Sequence, residues 1–288
     1  MTLSQKKMYS MLFLLPAFII YFVFYLLPTI MSLFFSMTRW TLTKWTYIGF
    51  ENYQMFFEET SLKIGFKNTL IFAVVTCGLK VILALLLATL LTSRIWFKDY
   101  FRSMVFFPTL LSTIAVGIAF STMMHPTQGV INNALALLGI QGPDWLGNTK
   151  LALFSVAFID VWKGVGIATV IYIAGIMSIP QHYYEALKID GGNAFRSFWH
   201  ITLPLSRPAM NSVIILSFIG GLRTFDLIWA TTRGGPGFST DLIASIIYKQ
   251  YQAGFYGLAT AGNVILFIGI SVLAFPLYMF LNKREVEL

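Results

Sequence analysis

Five charged side chains interrupt otherwise apolar runs of this sequence: Lys80, Asp160, Lys163, Arg223 and Asp226. A charge at the centre of a bilayer costs roughly 2.5–3.5 kcal/mol even on lenient insertion scales, so such residues are expected to face a bundle interior or a wet cavity. Asp160 and Lys163 stand three apart, as do Arg223 and Asp226, so on a helix each pair shares one face with opposite signs. The first pair reads equally as an ion pair closing a bundle and as part of a solute path. The second is followed, three residues on, by Trp229. A carboxylate, a guanidinium and an aromatic ring together suit a polyhydroxylated ligand, held by bidentate hydrogen bonds and stacking. Asn263 is a weaker member of the set, since a lone amide within a span also serves to join helices. Lys80 is expected to be structural and to pair across helices.

Signatures of catalysis are missing. No Gly-Lys dipeptide occurs, which excludes a Walker A phosphate loop. His125, His182 and His200 are widely separated and show no metal-ligand spacing. There is no Gly-x-Ser-x-Gly elbow, and the one cysteine, Cys77, lies in an apolar run, so neither an intrachain disulfide nor a cysteine-based metal site is available. The chain therefore reads as a non-enzyme with no cofactor or metal of its own, and any energetic work it performs must be fuelled elsewhere. The net charge of +8 comes from basic residues scattered over loop ends, with no patch of interleaved aromatics, so nucleic acid is not an expected partner.

The elements that must position these residues follow from composition. Of 288 residues, 57% are hydrophobic and 11% charged, and the mean hydropathy is +0.74, which describes a polytopic membrane protein. Inside lipid every backbone donor and acceptor pairs within its own segment, so the apolar runs must be helices and the fold class is all-α. Six spans are expected at about 9–36, 68–91, 104–124, 151–177, 209–232 and 258–282, in a membrane domain of 9–284 with tails 1–8 and 285–288. Pro16 and Pro28 are expected to kink the first span, with neighbouring helices absorbing the freed carbonyls. The loop 39–67 is rich in Trp, Tyr and Phe and is expected to lie along the bilayer surface.

Between the fourth and fifth spans lies a polar, basic, glycine-broken segment within a loop of 178–208. Two short amphipathic helices are expected there, the first ending at Asp190-Gly191-Gly192 and the second before Pro204. Six spans place both termini on one side together with this knob. That side carries ten Lys/Arg against seven on the other, which favours a cytoplasmic knob and cytoplasmic termini, and Lys283-Arg284 after the last span adds to the bias.

The spacing of Glu185-Ala186-Leu187, Gly191 and Ile201-x-Leu203-Pro204 reproduces the EAA loop of membrane subunits of ATP-binding-cassette (ABC) importers. The sequence resembles in particular the carbohydrate-uptake permeases. Phe101-Arg102, Phe106-Phe107-Pro108, Gly129-x-x-Asn132, Trp145-Leu146-Gly147, Asp160-x-Trp162-Lys163, Ser178-Ile179-Pro180 and Phe225-Asp226-x-Ile228 extend the resemblance over nearly the whole chain. Gly234-Gly235-Pro236 with Ser239-Thr240 is similar to the first of the two permease types, the larger maltose-permease subunit without its insert. Leu187 stands where a second alanine is usual, Gly192 where alanine is usual, and Gly164-Val165-Gly166 where a bulkier segment is common.

The resemblance implies a type I importer permease in the bacterial or archaeal cell (inner) membrane. Its coupling helix would seat in a cytoplasmic ATPase, with Glu185, Ala186, Asp190, Gly191, Ile201, Leu203 and Pro204 forming the dock. It also implies a second homologous permease subunit, two nucleotide-binding subunits that carry the ATP and Mg, and an extracytoplasmic sugar-binding protein docking near Gly234, Gly235, Pro236, Ser239 and Thr240. A non-sugar solute such as glycerol phosphate or an amino acid is the nearer alternative. A secondary transporter is the further one, and would need coupling-ion sites at broken helices.

Overall fold

The computed structural model describes residues 11–41, 43–93 and 95–283. The proposed tails 1–8 and 285–288, the first two residues of the first span, Arg94 and Arg284 lie outside the described residues. The chain divides into two compact units, one holding the residues up to Glu59 with Ile247–Ile265, the other Thr60–Ile246 with the residues from Leu266.

The first unit opens with α1 (Leu15–Ser36), 22 residues apolar enough to cross a membrane. Pro16 stands in its first turn, where the missing N–H is no loss. Pro28 follows a π turn, Phe22–Leu26, closed by the Leu27 N–H on the Phe22 carbonyl. A local device, a single widened turn just ahead of Pro28, thus stands where relief by neighbouring helices was expected. The aromatic loop is likewise more ordered than its sequence suggests. It forms a hairpin of β1 (Thr38–Trp40) and β2 (Trp45–Tyr47), paired Thr38 to Tyr47, and then α2 (Glu51–Glu58). The strands are too short to register as alternation. The Asn52 amide donates to the carbonyls of Ser36 and Thr38, both at 2.8 Å, and Phe56 is 1% exposed. Phe56 thus belongs to a packed interior rather than to a headgroup belt.

The second unit is built on α3 (Thr60–Thr92) and α7 (Ala152–Met177). Helix α3 begins eight residues before the expected span at 68, because Lys63 and Lys67 lower hydropathy without opposing helix. Then α4 (Lys98–Leu110) and α5 (Thr113–Met123) meet at 96°, so the third expected span is bent. Pro108 weakens the end of α4, and Leu111 and Ser112 follow in extended conformation. The 125–150 loop carries α6 (Val130–Leu137). Beyond α7 come α8 (Gln181–Ile189), α9 (Ala194–Leu205), α10 (Arg207–Leu222) and α11 (Asp226–Thr231), followed by α12 (Ile243–Gln252) and α13 (Tyr256–Asn282), each of which is shared with the first unit. Helices α9 and α10 meet at 67°. Among the described residues four helices are long and apolar enough to span singly, and the two bent pairs bring the number to six.

The core of this unit has two layers along α3 and α7. One packs Phe72, Val156 and Ile159 against Val116, Leu227 and Ile228, and the other packs Ala84, Ala88, Ala168 and Tyr172 against Val213. Close approach depends on small residues. A Cβ on Gly221 would stand 2.7 Å from the Ala73 Cα, and one on Gly166 would stand 2.6 Å from the Val105 carbonyl oxygen.

Candidate functional site

The polar knob is built by two local signals. At the end of α8, Gly191 takes a φ of +75°, the Gly192 N–H bonds the Leu187 carbonyl at 2.8 Å and the Gly191 N–H bonds that of Lys188 at 3.1 Å. This is a Schellman cap, which needs glycine at the left-handed position. Asn193 then caps α9, its side-chain oxygen accepting from the Arg196 N–H at 2.9 Å. The two unusual residues of the loop prove to be one feature, since a Cβ on Gly192 would overlap the Leu187 side chain. The larger residue at 187 fills the room that the smaller one at 192 leaves.

Helix α9 does not stop before Pro204 as expected. A π turn over Phe198–Thr202, closed by the Leu203 N–H on the Phe198 carbonyl, precedes the proline, as in α1, and the helix runs on to Leu205. Both places read Phe-x-x-x-x-Leu-Pro, at 22–28 and at 198–204. The hydroxyls of Tyr184 and Thr202 share a hydrogen bond of 3.1 Å that ties α8 to α9. Of the proposed dock residues, Glu185, Ala186, Asp190 and Gly191 are exposed, whereas Ile201 is buried and Leu203 and Pro204 are half-buried. The Glu185 carboxylate makes no hydrogen bond or ion pair among the described residues. The knob thus offers an outer face of acidic and small residues while its second helix is rooted in the bundle.

The intramembrane charges are arranged differently from their sequence spacing. Asp160 pairs with Lys80 of α3 at 2.6 Å and not with Lys163. The pair lies between the two core layers, with the Lys80 and Asp160 side chains 10% and 20% exposed. An interhelical partner inside the bundle outcompetes the intrahelical one because the latter would leave Lys80 buried alone. Gly164 makes the room, since a Cβ there would stand 2.8 Å from Lys80 Cε. With Gly166 against α4, this accounts for the two glycines of the Gly164-Val165-Gly166 segment in packing terms. Lys163 is half-buried, has no side-chain partner among the described residues, and receives the Thr109 hydroxyl on its carbonyl at 3.0 Å.

Arg223 and Asp226 do not share a helix. The backbone leaves α10 at Leu222, passes Phe225 at φ −133°, and re-enters a helix at Asp226. Arg223 therefore caps the negative end of one helix and Asp226 opens the positive end of the next, each favourable for its own helix dipole. Both are exposed, and no ion pair joins them among the described residues. Asp226 and Trp229 stay on one face of α11, with Trp229 stacked on Phe225 at a centroid distance of 5.7 Å. Asn263 is exposed on α13, in the other unit.

The loop after α11 is braced rather than loose. The Asn68 amide donates to the carbonyls of Ser239 at 3.0 Å and Asp241 at 3.1 Å, and the Thr69 hydroxyl accepts from the Ile243 N–H at 3.0 Å. Thr240 is fully buried, bonding the Thr232 hydroxyl and the Gly235 carbonyl, both at 2.7 Å, so its side chain shapes the loop from within. Gly234, at φ +89°, lies against the buried Asp241 carboxylate where no Cβ would fit. Gly235, Pro236 and Ser239 are half-buried, and the exposed tip is formed by Arg233, Gly237 and Phe238. Sequence reading missed Asn68 and Thr69, whose only signal was polarity at the head of an apolar run. Across the 125–150 loop, Asn132 plays a similar part. Its amide donates to the carbonyls of Pro126 and Pro143 and its oxygen accepts from the Trp145 indole at 2.7 Å, so Gly129-x-x-Asn132 and Trp145-Leu146-Gly147 form a single knot.

Comparison with known proteins bears on the same stretch. A family described as "Binding-protein-dependent transport system inner membrane component" matches residues 80–286. The "Trehalose/maltose transport system permease protein MalF" of Thermococcus litoralis is 32% identical, over 89% of this chain and 88% of that protein. The "Multiple sugar-binding transport system permease protein MsmF" of Streptococcus mutans is 29% identical over 98% of each. Among solved structures, a chain of a bacterial alginate ABC transporter in complex with an alginate pentasaccharide-bound periplasmic protein superposes with a TM-score of 0.78. It is 24% identical and covers 94% of this chain and 91% of that one.

Proposed function

The chain belongs to the binding-protein-dependent inner-membrane transport components, the permeases of ABC importers, and from that premise we propose that its own solute is a sugar, taken up at the expense of ATP hydrolysed on a separate subunit. The names of the relatives favour a sugar over glycerol phosphate or an amino acid. In this reading the chain forms half of a pathway completed by a second, homologous permease subunit. Two nucleotide-binding subunits drive the pair, and an extracytoplasmic binding protein delivers the ligand to the loop tip beyond α11. The knob of α8 and α9 and both termini are cytoplasmic.

The observation that carries the reading is the outward face of α8, where Glu185 and Ala186 lie exposed on a helix fixed to the bundle through α9. A small residue lets a groove close on the helix, and a free carboxylate gives that groove a charged contact. A dock that moves with the ATPase can favour one state of the bundle over the other, which is what coupling requires. Arg223, Asp226 and Trp229 at the α10–α11 break are assigned to the solute path, with Lys163 as the free cation on α7. Asp160 serves as a brace. Glu185→Lys is expected to leave membrane insertion intact while separating ATP turnover from uptake in the reconstituted complex. Normal coupled uptake by that variant would refute the docking role.

A further inference from the structure

A cavity of about 540 Å³ lies on the opposite side of α8 from the Glu185 face. Its walls are the end of α3, the end of α7 and the inner faces of α8 and α9. Gln181, Tyr184 and Lys188 line it at helical spacing, while His182, Glu185, Ala186 and Ile189 face away, so α8 separates the cavity from the Glu185-Ala186 face of the proposed dock. That volume is in the range of small-molecule sites.

The lining has a direction. On the α3 side, the hydroxyls of Thr89, Thr92 and Ser93 donate to the carbonyls of Leu85, Ala88 and Leu90 at 2.8, 2.8 and 2.6 Å. Their protons are committed, so toward the cavity they present lone pairs that accept. On the loop side, the Asn193 oxygen is taken up by the Arg196 N–H, which leaves its NH₂ to donate. Among the described residues the Lys188 ammonium has no partner and no carboxylate lines the cavity. The α3 rim therefore offers acceptors and the loop side offers donors with, among the described residues, one cation, beside Gln181 and Ser197 that can do either, over an apolar floor that includes Ile176 and Ile179. The complementary ligand carries hydroxyls at one end and an anion at the other.

We propose that this cavity is a regulatory site for a phosphate ester of a polyol, either a soluble sugar phosphate or the headgroup of a phosphoglycerol lipid. Its position at the ends of two spans makes it reachable from both sources. The anion meets Lys188 and the Asn193 amide, and the hydroxyls meet the α3 rim. An occupant stabilises the state in which the cavity is open and so slows the cycle that must move α8. The regulatory effect rests on the docking role of α8 proposed above, whereas binding itself does not.

The test uses the full importer complex in nanodiscs. Glucose 6-phosphate is titrated in phosphatidylcholine bilayers, and phosphatidylglycerol is titrated separately as a mole fraction, with binding and ATP turnover both measured. One probe is expected to bind and to lower turnover at least twofold. Lys188→Gln should raise the half-saturating level about tenfold and Lys188→Arg should restore it, since a charge-assisted contact contributes that much. The probe that acts identifies the source. Binding of neither probe, or equal binding by wild type and Lys188→Gln, overturns the site. Binding with unchanged turnover overturns its regulatory role. Failure of the dock is scored separately, by coupled uptake in Glu185→Lys.

Discussion

At the residue scale, the balance between like-looking charges is decided by what each leaves buried. Lys80 and Asp160 close on each other across α3 and α7 at 2.6 Å, while the half-buried Lys163 has no ion-pair partner among the described residues. Asp160→Ala is expected to lower the stability of the unit by about 3 kcal/mol by stranding Lys80, whereas the double replacement Lys80→Met/Asp160→Leu should recover most of it. Lys163→Ala should change stability by less than about 0.5 kcal/mol. Thermal unfolding of the detergent-solubilised complex reads all three. The exposed carboxylate of Asp226 leads to a different expectation. Asp226→Ala should leave assembly unchanged and raise the half-saturating sugar concentration for uptake about tenfold, as the loss of one charge-assisted contact would. Unaltered uptake kinetics would return Asp226 to the dipole-capping role that its helix end already gives it.

At the scale of elements, prolines and glycines act where their local chemistry is needed. Leu27-Pro28 and Leu203-Pro204 each follow a five-residue π turn, so a helix that should break continues. The knob of α8 and α9 has its own matched pair in Leu187 and Gly192. Gly192→Ala alone is expected to destabilise the α8 cap by about 1–3 kcal/mol through overpacking, and to weaken co-purification of the ATPase subunit. Combined with Leu187→Ala the part of the cost that comes from the Leu187 side chain should vanish, while the Leu187 carbonyl oxygen, 2.8 Å from the added Cβ, keeps the rest, and a double-mutant cycle on assembly measures the coupling. Additive effects would mean that the two residues do not share one space.

At the scale of the whole molecule, the chain has an apolar bundle, a rooted polar knob and a braced loop beyond α11. Among the described residues no cluster of His, Cys, Asp or Glu could hold a metal ion. Purified alone and reconstituted in liposomes, the chain is expected neither to hydrolyse ATP nor to accumulate sugar, and both activities should appear when the second permease, the ATPase subunits and the sugar-binding protein are supplied. Uptake by the single chain, driven by an ion gradient, would instead favour a secondary transporter.

The sequence alone determined the solvent, the fold class and the knob. Run length and backbone pairing in lipid leave helices as the only economical form, and Glu185-Ala186 with the Asp190-Gly191-Gly192 turn carries its own capping chemistry. Tertiary structure decided who meets whom. Asp160 and Lys163 are neighbours in spacing, yet a buried lysine on another helix takes the carboxylate. Arg223 and Asp226 look like one helical face, yet the backbone breaks between them. Asn68 and Thr240, both plain in the sequence, tie the loop beyond α11 to the bundle. Local patterns report which groups must be sheltered from lipid or water, but the identity of the partner depends on which helices are brought side by side, and that is set only when the whole unit packs.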